Sequence, residues 1–361
     1  MEQHQETMDM LDLVTRPAFC VKDGVIVRVN KAAERMTIEN GCPVTQLLAT
    51  GQAEYAEFNS GCLYLTLQLS GAELGASVVS MDGFDVFMIE DENNQAELKA
   101  LALAAQTLRE PLSSVMTMAG ALVPAVENGT DPAAADHMAR LNRGLFQMLR
   151  ILGNMSDADR YRTDIRPRME TRDITALLDE LFGKLTVMAS HAGIELCFEN
   201  LQDSLYCLVD SEKLERAVYN IFSNAMKFTP RGGNIHAKMT RRENRLYLTV
   251  QDSGSGIPSN QHGSIYTRFL RQPGLDDSRQ GIGLGMVLIR SAATAHGGTV
   301  LVEQPKDQGL RLTMSLEIRQ NRDGLVRSSG LRVDYAGEWD HSLIELSESL
   351  PASLYAERPE N

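Results

Sequence analysis

Residues 219–228 read YNIFSNAMKF, and what this decapeptide needs around it decides the fold. Asn220 and Asn224 stand four apart and Lys227 three further on, so on a helix these polar side chains share one face. Alone, two asparagines are only residues of modest helix propensity, and the weight of the stretch comes from its flanks. Downstream, QDSGSGIP (251–258) sets Asp252, Gly254 and Gly256 at the end of a β-rich run. Beyond it, GIGLG (281–285) puts Gly281, Gly283 and Gly285 at a helix start, where unpaired N–H groups and the helix dipole favour an anionic phosphate. Either loop alone could be a turn, since Asp, Ser and Gly are turn formers. In this order, after a strand and before a helix, they are far more specific.

From Asp173 to Arg319 helical and strand patterns alternate. A helix at ITALLDELFGKLTVMASHA leads to strands at IELCFEN and LYCLVD, then to the helix EKLERAVYNIFSNAMKF. Strands at NIHAKMT and RLYLTVQD, the glycine-rich loop with its helix, and strands at TVLVEQ and LRLTMSLEI follow. This order predicts a two-layer α/β sandwich, one sheet covered by helices. The motifs resemble the ATP-binding fold shared by histidine kinases, type II topoisomerases, Hsp90-type chaperones and MutL-type repair proteins (GHKL-type). The resemblance implies ATP and Mg as cofactors, with Asn224 as the magnesium ligand, Asn220 beside it and Lys227 reaching a phosphate. It implies that Asp252 accepts the adenine amino hydrogen bond while Gly254 and Gly256 let the backbone pass close to the base. The segment IPSNQHGSIYTRFLRQPGLDDSRQ corresponds to the family's ATP lid, with Phe269 as its hydrophobic anchor and Arg271 as the cation for the terminal phosphate. Its IYTRFLR string resembles the kinase branch of the fold.

Upstream lie two helical seams. Leu98, Leu101, Ala105, Leu108, Leu112, Val115, Ala119 and Leu122 alternate spacings of three and four, and Met138, Leu141, Leu145, Met148, Leu152 and Met155 form the second seam. Between them PAVENGTDP offers Gly129 as a breaker, Asp131 as a cap and Pro132 as a first helical residue. One hairpin cannot bury a two-sided seam, so a dimeric four-helix bundle is expected. Inside the first seam residues 104–115 read AAQTLREPLSSV. This resembles the histidine kinase stretch S-H-E-L-R-T-P-L, and matches at Leu108, Arg109, Pro111 and Leu112 set the register. Gln106 then falls on the phosphate-accepting histidine, Thr107 on the acidic residue after it, and Glu110 on the Thr or Asn of phosphatase chemistry. The resemblance implies a kinase scaffold with all three chemical positions changed.

Near the N-terminus PAFCVKDGVIVRVN carries an Asp23-Gly24 dipeptide between apolar runs, a hairpin signal. A short polar helix (KAAERMTIEN) and strands at CLYLTLQL, GASVVSM and DVFMIED follow. The order resembles a PAS-type sensor domain, in which Asn30 opens the helical segment. Residues 160–171 are charged and hold Pro167, as a linker does. Beyond Arg319 the tail is too apolar for disorder, and Trp339, Leu343, Ile344, Leu346 and Leu350 are expected to pack on the chain itself or on a partner.

A net charge of −13 argues against a nucleic-acid surface, which needs clustered Lys and Arg. The acidic N-terminus is unlike a signal peptide, and no apolar run reaches the ~18 residues of a membrane span, so a cytoplasmic location is expected. Five cysteines without a CxxC pair read as free thiols. The expected organisation is a PAS-like sensor at 1–91, a dimerisation hairpin at 92–160, a histidine-kinase-type ATP-binding domain at 161–319 and a C-terminal extension at 320–361. Function is expected to be that of a sensor protein binding ATP-Mg without canonical histidine autophosphorylation. Its expected partners are a second copy, an active kinase in a heterodimer, or a response regulator. Two alternatives stand beside it: a kinase that phosphorylates another residue or a partner, with His137 the one histidine of the hairpin, and a non-enzymatic dimeric scaffold.

Overall fold

A computed structural model describes residues 11, 14–81, 83–90, 104–105, 107–109, 112–113, 115–119, 132–163, 167–201, 203–256, 284–305, 309–320 and 340–356. The N-terminal half is an antiparallel sheet of β1 (Ala18–Lys22), β2 (Val25–Val29), β3 (Cys62–Leu69), β4 (Ala72–Met81) and β5 (Phe84–Ile89), in spatial order β2-β1-β5-β4-β3. Asp23 and Gly24 both take positive φ, 51° and 77°, which fits the tight turn joining β1 to β2. Asn30 caps the short helix α1 (Lys31–Glu34): its Oδ1 accepts from the N–H of Ala33 at 2.9 Å and of Ala18 at 3.1 Å. A second short helix, α2 (Gln52–Glu57), precedes β3.

Residues 104–105, 107–109, 112–113 and 115–119 are helical, and α3 (Pro132–Thr163) follows, beginning at the expected proline. Each seam splits into two lines. Ala105, Leu112 and Ala119 are buried together with Leu145 and Leu152, whereas Leu108, Val115, Leu141 and Met148 are exposed. A three-four seam straddles two stripes of a helix, and the chain's own core covers one of them and, on α3, only Met155 of the other.

The C-terminal half contains β6 (Glu170–Asp173), α4 (Ile174–Ala192), β7 (Glu195–Glu199), β8 (Tyr206–Val209), α5 (Ser211–Phe228), β9 (Asn234–Arg242), β10 (Arg245–Asp252), α6 (Leu284–Ala295), β11 (Val300–Glu303) and β12 (Arg311–Glu317). Their order along the sheet is β11-β12-β10-β9-β7, antiparallel except where β7 runs parallel to β9. Alternate residues Leu246, Leu248 and Val250 of β10 are buried, as a strand with one helix-covered face requires. The linker reading of 160–171 needs correction. α3 runs on to Thr163, and Glu170–Asp173 is a strand paired antiparallel with β8 in a separate two-stranded sheet, which removes LYCLVD from the main sheet. The segment lacks apolar alternation, so nothing in its pattern announces it.

The two halves share one sheet. β3 and β11 pair antiparallel through Val300↔Tyr64, Leu301↔Leu63 and Val302↔Cys62, giving a ten-stranded order β2-β1-β5-β4-β3-β11-β12-β10-β9-β7. Arg290 of α6 stacks over the Tyr64 ring, 4.6 Å from its centroid, and forms an ion pair with Glu90. Arg245 and Glu54 add a second pair across the junction at 3.0 Å. Residues 340–356 of the tail pack on the chain itself, with α7 (His341–Glu345) and Leu343, Ile344, Leu346 and Leu350 all buried, while Trp339 lies outside the described residues.

Candidate functional site

The site is built on α5. Asp210 caps this helix, accepting from Lys213 N–H at 3.1 Å, and its own N–H donates to His296 Nε2 at 2.9 Å. One turn in, Arg216 is almost wholly buried, with bonds to Glu345 Oε1 (2.9 Å), Asp157 Oδ2 (2.8 Å) and Asn154 Oδ1 (2.9 Å). Removing one partner from such a buried ion pair costs about 3–5 kcal/mol, so this cluster firmly joins α3, α5 and α7.

Asn220 follows one turn later. Its Nδ2 donates to the Arg216 carbonyl at 2.8 Å, while its buried Oδ1 has no partner among the described residues. A Cβ placed on Gly285 at the start of α6 would lie 2.8 Å from that oxygen. A side chain at 285 would therefore make the Asn220 carboxamide shift where the first turn of α6 meets α5. An unpaired buried acceptor costs about 1–3 kcal/mol and is the sort of group a ligand or metal hydrate satisfies. Asn224 is half-buried, one turn further along the same helix. Lys227 Nζ lies 3.5 Å from Glu348 Oε2 of the C-terminal segment, so the phosphate reading must reckon with a carboxylate already there.

Asp252 ends β10, close to the end of α5, and is buried. Its Oδ1 accepts from Gly254 N–H at 2.9 Å and Leu310 N–H at 3.3 Å, which orients the carboxylate and leaves Oδ2 for a donor. Burial raises its pKa above the ordinary 3.8, against the pull of these backbone bonds. Gly254 passes so close to the Phe228 carbonyl that a Cβ would collide with backbone. Gly256 takes φ of 60°, a left-handed conformation that favours glycine.

Of the residues singled out in the sequence, Gly285 at the start of α6 meets Asn220 of α5, Gly254 beside Asp252 meets Phe228 at the end of α5, Asn224 and Lys227 lie between these two places on α5, and Gly256 follows Gly254 on its loop. Phe269, Arg271, Gly281 and Gly283 lie outside the described residues, as do Gln106, Glu110 and Pro111. Thr107 is exposed, its hydroxyl donating to the Ala104 carbonyl at 2.8 Å. His137 is exposed on α3. The ionic cluster of Arg150, Asp157, Arg216, Glu345 and Glu348 went unforeseen. Arg216 lies one helical turn before Asn220, which was its only local signal, because its partner Glu345 is 129 residues away.

Residues 209–320 match the family model described as histidine kinase-, DNA gyrase B-, and HSP90-like ATPase. The chain is 25% identical over 258 residues to the alginate biosynthesis sensor protein KinB of Pseudomonas aeruginosa, covering 71% of this chain and 42% of that one. It is 25% identical over 242 residues to the sensor histidine kinase WalK of Bacillus subtilis (strain 168), covering 65% and 39%. It is 24% identical over 330 residues to the adaptive-response sensory kinase SasA of Synechococcus sp. (strain JA-2-3B'a(2-13)), covering 88% and 85%. The chain spans less than half the length of the first relatives it matches. A crystal structure of full-length ShkA in complex with AMPPNP superposes with a TM-score of 0.48 at 22% identity, over 62% of this chain and 46% of that one.

Proposed function

We propose that the chain is a signal-transduction protein of the histidine kinase family which binds ATP with Mg but does not phosphorylate itself at the usual helix position. What supports it is the approach of Gly285, at the start of α6, to the unpaired Asn220 Oδ1 on α5, together with the buried Asp252 carboxylate held by Gly254 N–H, set beside Gln106 in the sequence. In this reading Oδ2 of Asp252 accepts the adenine amino hydrogen, and Gly254 and Gly256 admit the ring. The N-terminus of α6, with Gly281, Gly283 and Gly285, receives phosphate. Asn224 offers an amide oxygen of the hard type that Mg prefers, and Asn220 stands behind it. Mg takes few protein ligands beyond one or two side chains when phosphates supply the rest. Bound ATP would supply a transferable phosphoryl group. Phe269 and Arg271 belong to the same proposal as the lid anchor and the terminal-phosphate cation.

The N-terminal half serves as the sensor, and its strand order β2-β1-β5-β4-β3 with the Asn30 cap supports the PAS reading. The exposed line Leu108, Val115, Leu141 and Met148 supports pairing of the hairpin with a second copy or with an active kinase. Among the described residues no helix is long and apolar enough to cross a membrane. The cysteines, all free thiols, support a reducing, cytoplasmic setting. Output passes through nucleotide-dependent conformation to a partner such as a response regulator.

Calorimetry with ATP and MgCl2 tests the reading. The wild type is expected to bind, and Asp252→Ala to lose binding by a factor of ten or more, on the order of one charged hydrogen bond of about 1.5–3 kcal/mol. Unchanged affinity in that variant would sink the site assignment.

A further inference from the structure

Lys227 lies in the last turn of α5, and its ammonium faces a carboxylate of its own chain, Glu348 Oε2 at 3.5 Å. Glu348 is held there from behind. Asp340 caps α7 by accepting from Ser342 N–H at 2.8 Å, and the chain then passes along α3. Arg143 donates to the carbonyls of Ser347 (2.9 Å) and Glu348 (2.8 Å), and Gln147 donates to that of Ser347 (3.1 Å). Arg150 Nη1 approaches Glu348 Oε2 at 3.2 Å, so one carboxylate oxygen sits between a guanidinium and an ammonium. Three residues earlier Glu345, wholly buried, is clamped by Arg216 and Arg150.

We propose that Glu348 is a built-in competitor for nucleotide phosphate. It occupies Lys227 when no phosphate is bound, and the segment from Ser347 onward loosens from α5 when Lys227 turns to a polyphosphate. The inference rests on the ATP-binding reading and adds to it a regulatory residue in the C-terminal extension. The physical reason is charge. Lys227 brings one positive charge, and a triphosphate with several negative charges nearby repels a second anion on the same ammonium. Arg150 keeps its grip on Glu345, so only the far part of the segment is released, not the whole junction of α3, α5 and α7. By linkage, bound nucleotide weakens this contact by the same factor by which the contact weakens nucleotide binding.

The test uses the full chain with Glu348→Gln, which keeps the backbone carbonyls that Arg143 and Gln147 hold. ATP-Mg affinity is expected to rise about two- to fivefold, the lower range for a partly buried ion pair, while adenosine, which carries no phosphate, binds both proteins equally. Hydrogen exchange on the wild type is expected to show the amides of residues 347–350 exchanging faster with ATP-Mg than without it. Equal ATP affinity in Glu348→Gln and wild type, with both proteins binding adenosine, would overturn the competition and leave the ATP reading standing. Exchange at 347–350 that is unchanged or slowed by ATP-Mg overturns it as well. Failure of both proteins to bind ATP or adenosine removes the ATP reading and this inference together.

Discussion

His296 shows how much one side chain can hold when it stays neutral. It is buried, its Nε2 accepts the Asp210 N–H that begins α5, and its Nδ1 faces the Ala292 carbonyl at 2.7 Å. That pair of partners requires the proton on Nδ1. Protonation of Nε2 would turn an acceptor into a donor against an N–H. Burial lowers the pKa from 6.5, opposed by the bond to the Ala292 carbonyl and by Asp210, with Lys213 and Arg319 adding to the shift. The folded pKa lies below the unfolded one, so the unfolded chain binds the extra proton first. Stability is therefore full above pH 6.5 and declines as pH falls below it, by at most about 1.4 kcal/mol per pH unit for this group. Urea midpoints between pH 7.5 and 5.5 are expected to fall in the wild type and to fall less steeply in His296→Gln. Parallel slopes would remove the role. Gln106 poses the opposite question at the same scale. An amide nitrogen is no nucleophile, and Thr107 bears no charge to orient one. The wild type is therefore expected to form no acid-labile, base-stable phosphate at this position. The double change Gln106→His with Thr107→Glu is expected to recover label from radioactive ATP. Label of that character mapped to His137 in the wild type would favour the active-kinase alternative.

Elements were legible in the sequence wherever a period or a cap announced them. The helices and strands from Ile174 to Glu317 stand where alternation and glycine loops predicted them, because each buries one face and its sequence has to say which. β6 escaped, since ETRD is polar on both faces and its ladder with β8 depends on a strand more than thirty residues on. The hairpin seams were legible as a pattern, but the pattern could not say which stripe the chain covers itself. That division now yields a prediction. Leu141 and Met148 are about half exposed, seven residues apart on α3, and the chain's own core does not use them. The double change Leu141→Glu with Met148→Glu is expected to turn a dimer into a monomer at micromolar concentration by light scattering. The monomer should keep its helix content by circular dichroism, since both side chains lie outside the chain's own core, while the thermal midpoint falls by the stabilisation the dimer supplied. A wild type that is monomeric, or a variant that stays dimeric, would refute the proposed face.

At the scale of the whole molecule the feature that local patterns could not foretell is the junction of β3 with β11. Each strand carries an apolar face, but nothing in either sequence names the other as its edge partner, and the pairing spans more than two hundred residues. It has a mechanical consequence. Gly285, in the first turn of α6, abuts Asn220, and five residues along the same helix Arg290 stacks on Tyr64 and pairs with Glu90 of the N-terminal half. One helix thus touches the candidate nucleotide site with its start and the N-terminal half with its middle. A change in β3 that moves Tyr64 has a short path to the start of α6. Arg290→Ala removes the stacking and leaves Glu90 unpartnered at the seam, at a cost of about 1–3 kcal/mol, between an exposed and a buried ion pair. Calorimetric unfolding of the wild type is expected to be one transition, because the sheet and its helices are continuous across the junction. In Arg290→Ala the N-terminal half is expected to melt separately and earlier, with ATP-Mg raising the midpoint of the later transition only. A single, unshifted transition in the variant would mean that the β3–β11 pairing couples the two halves without help from Arg290.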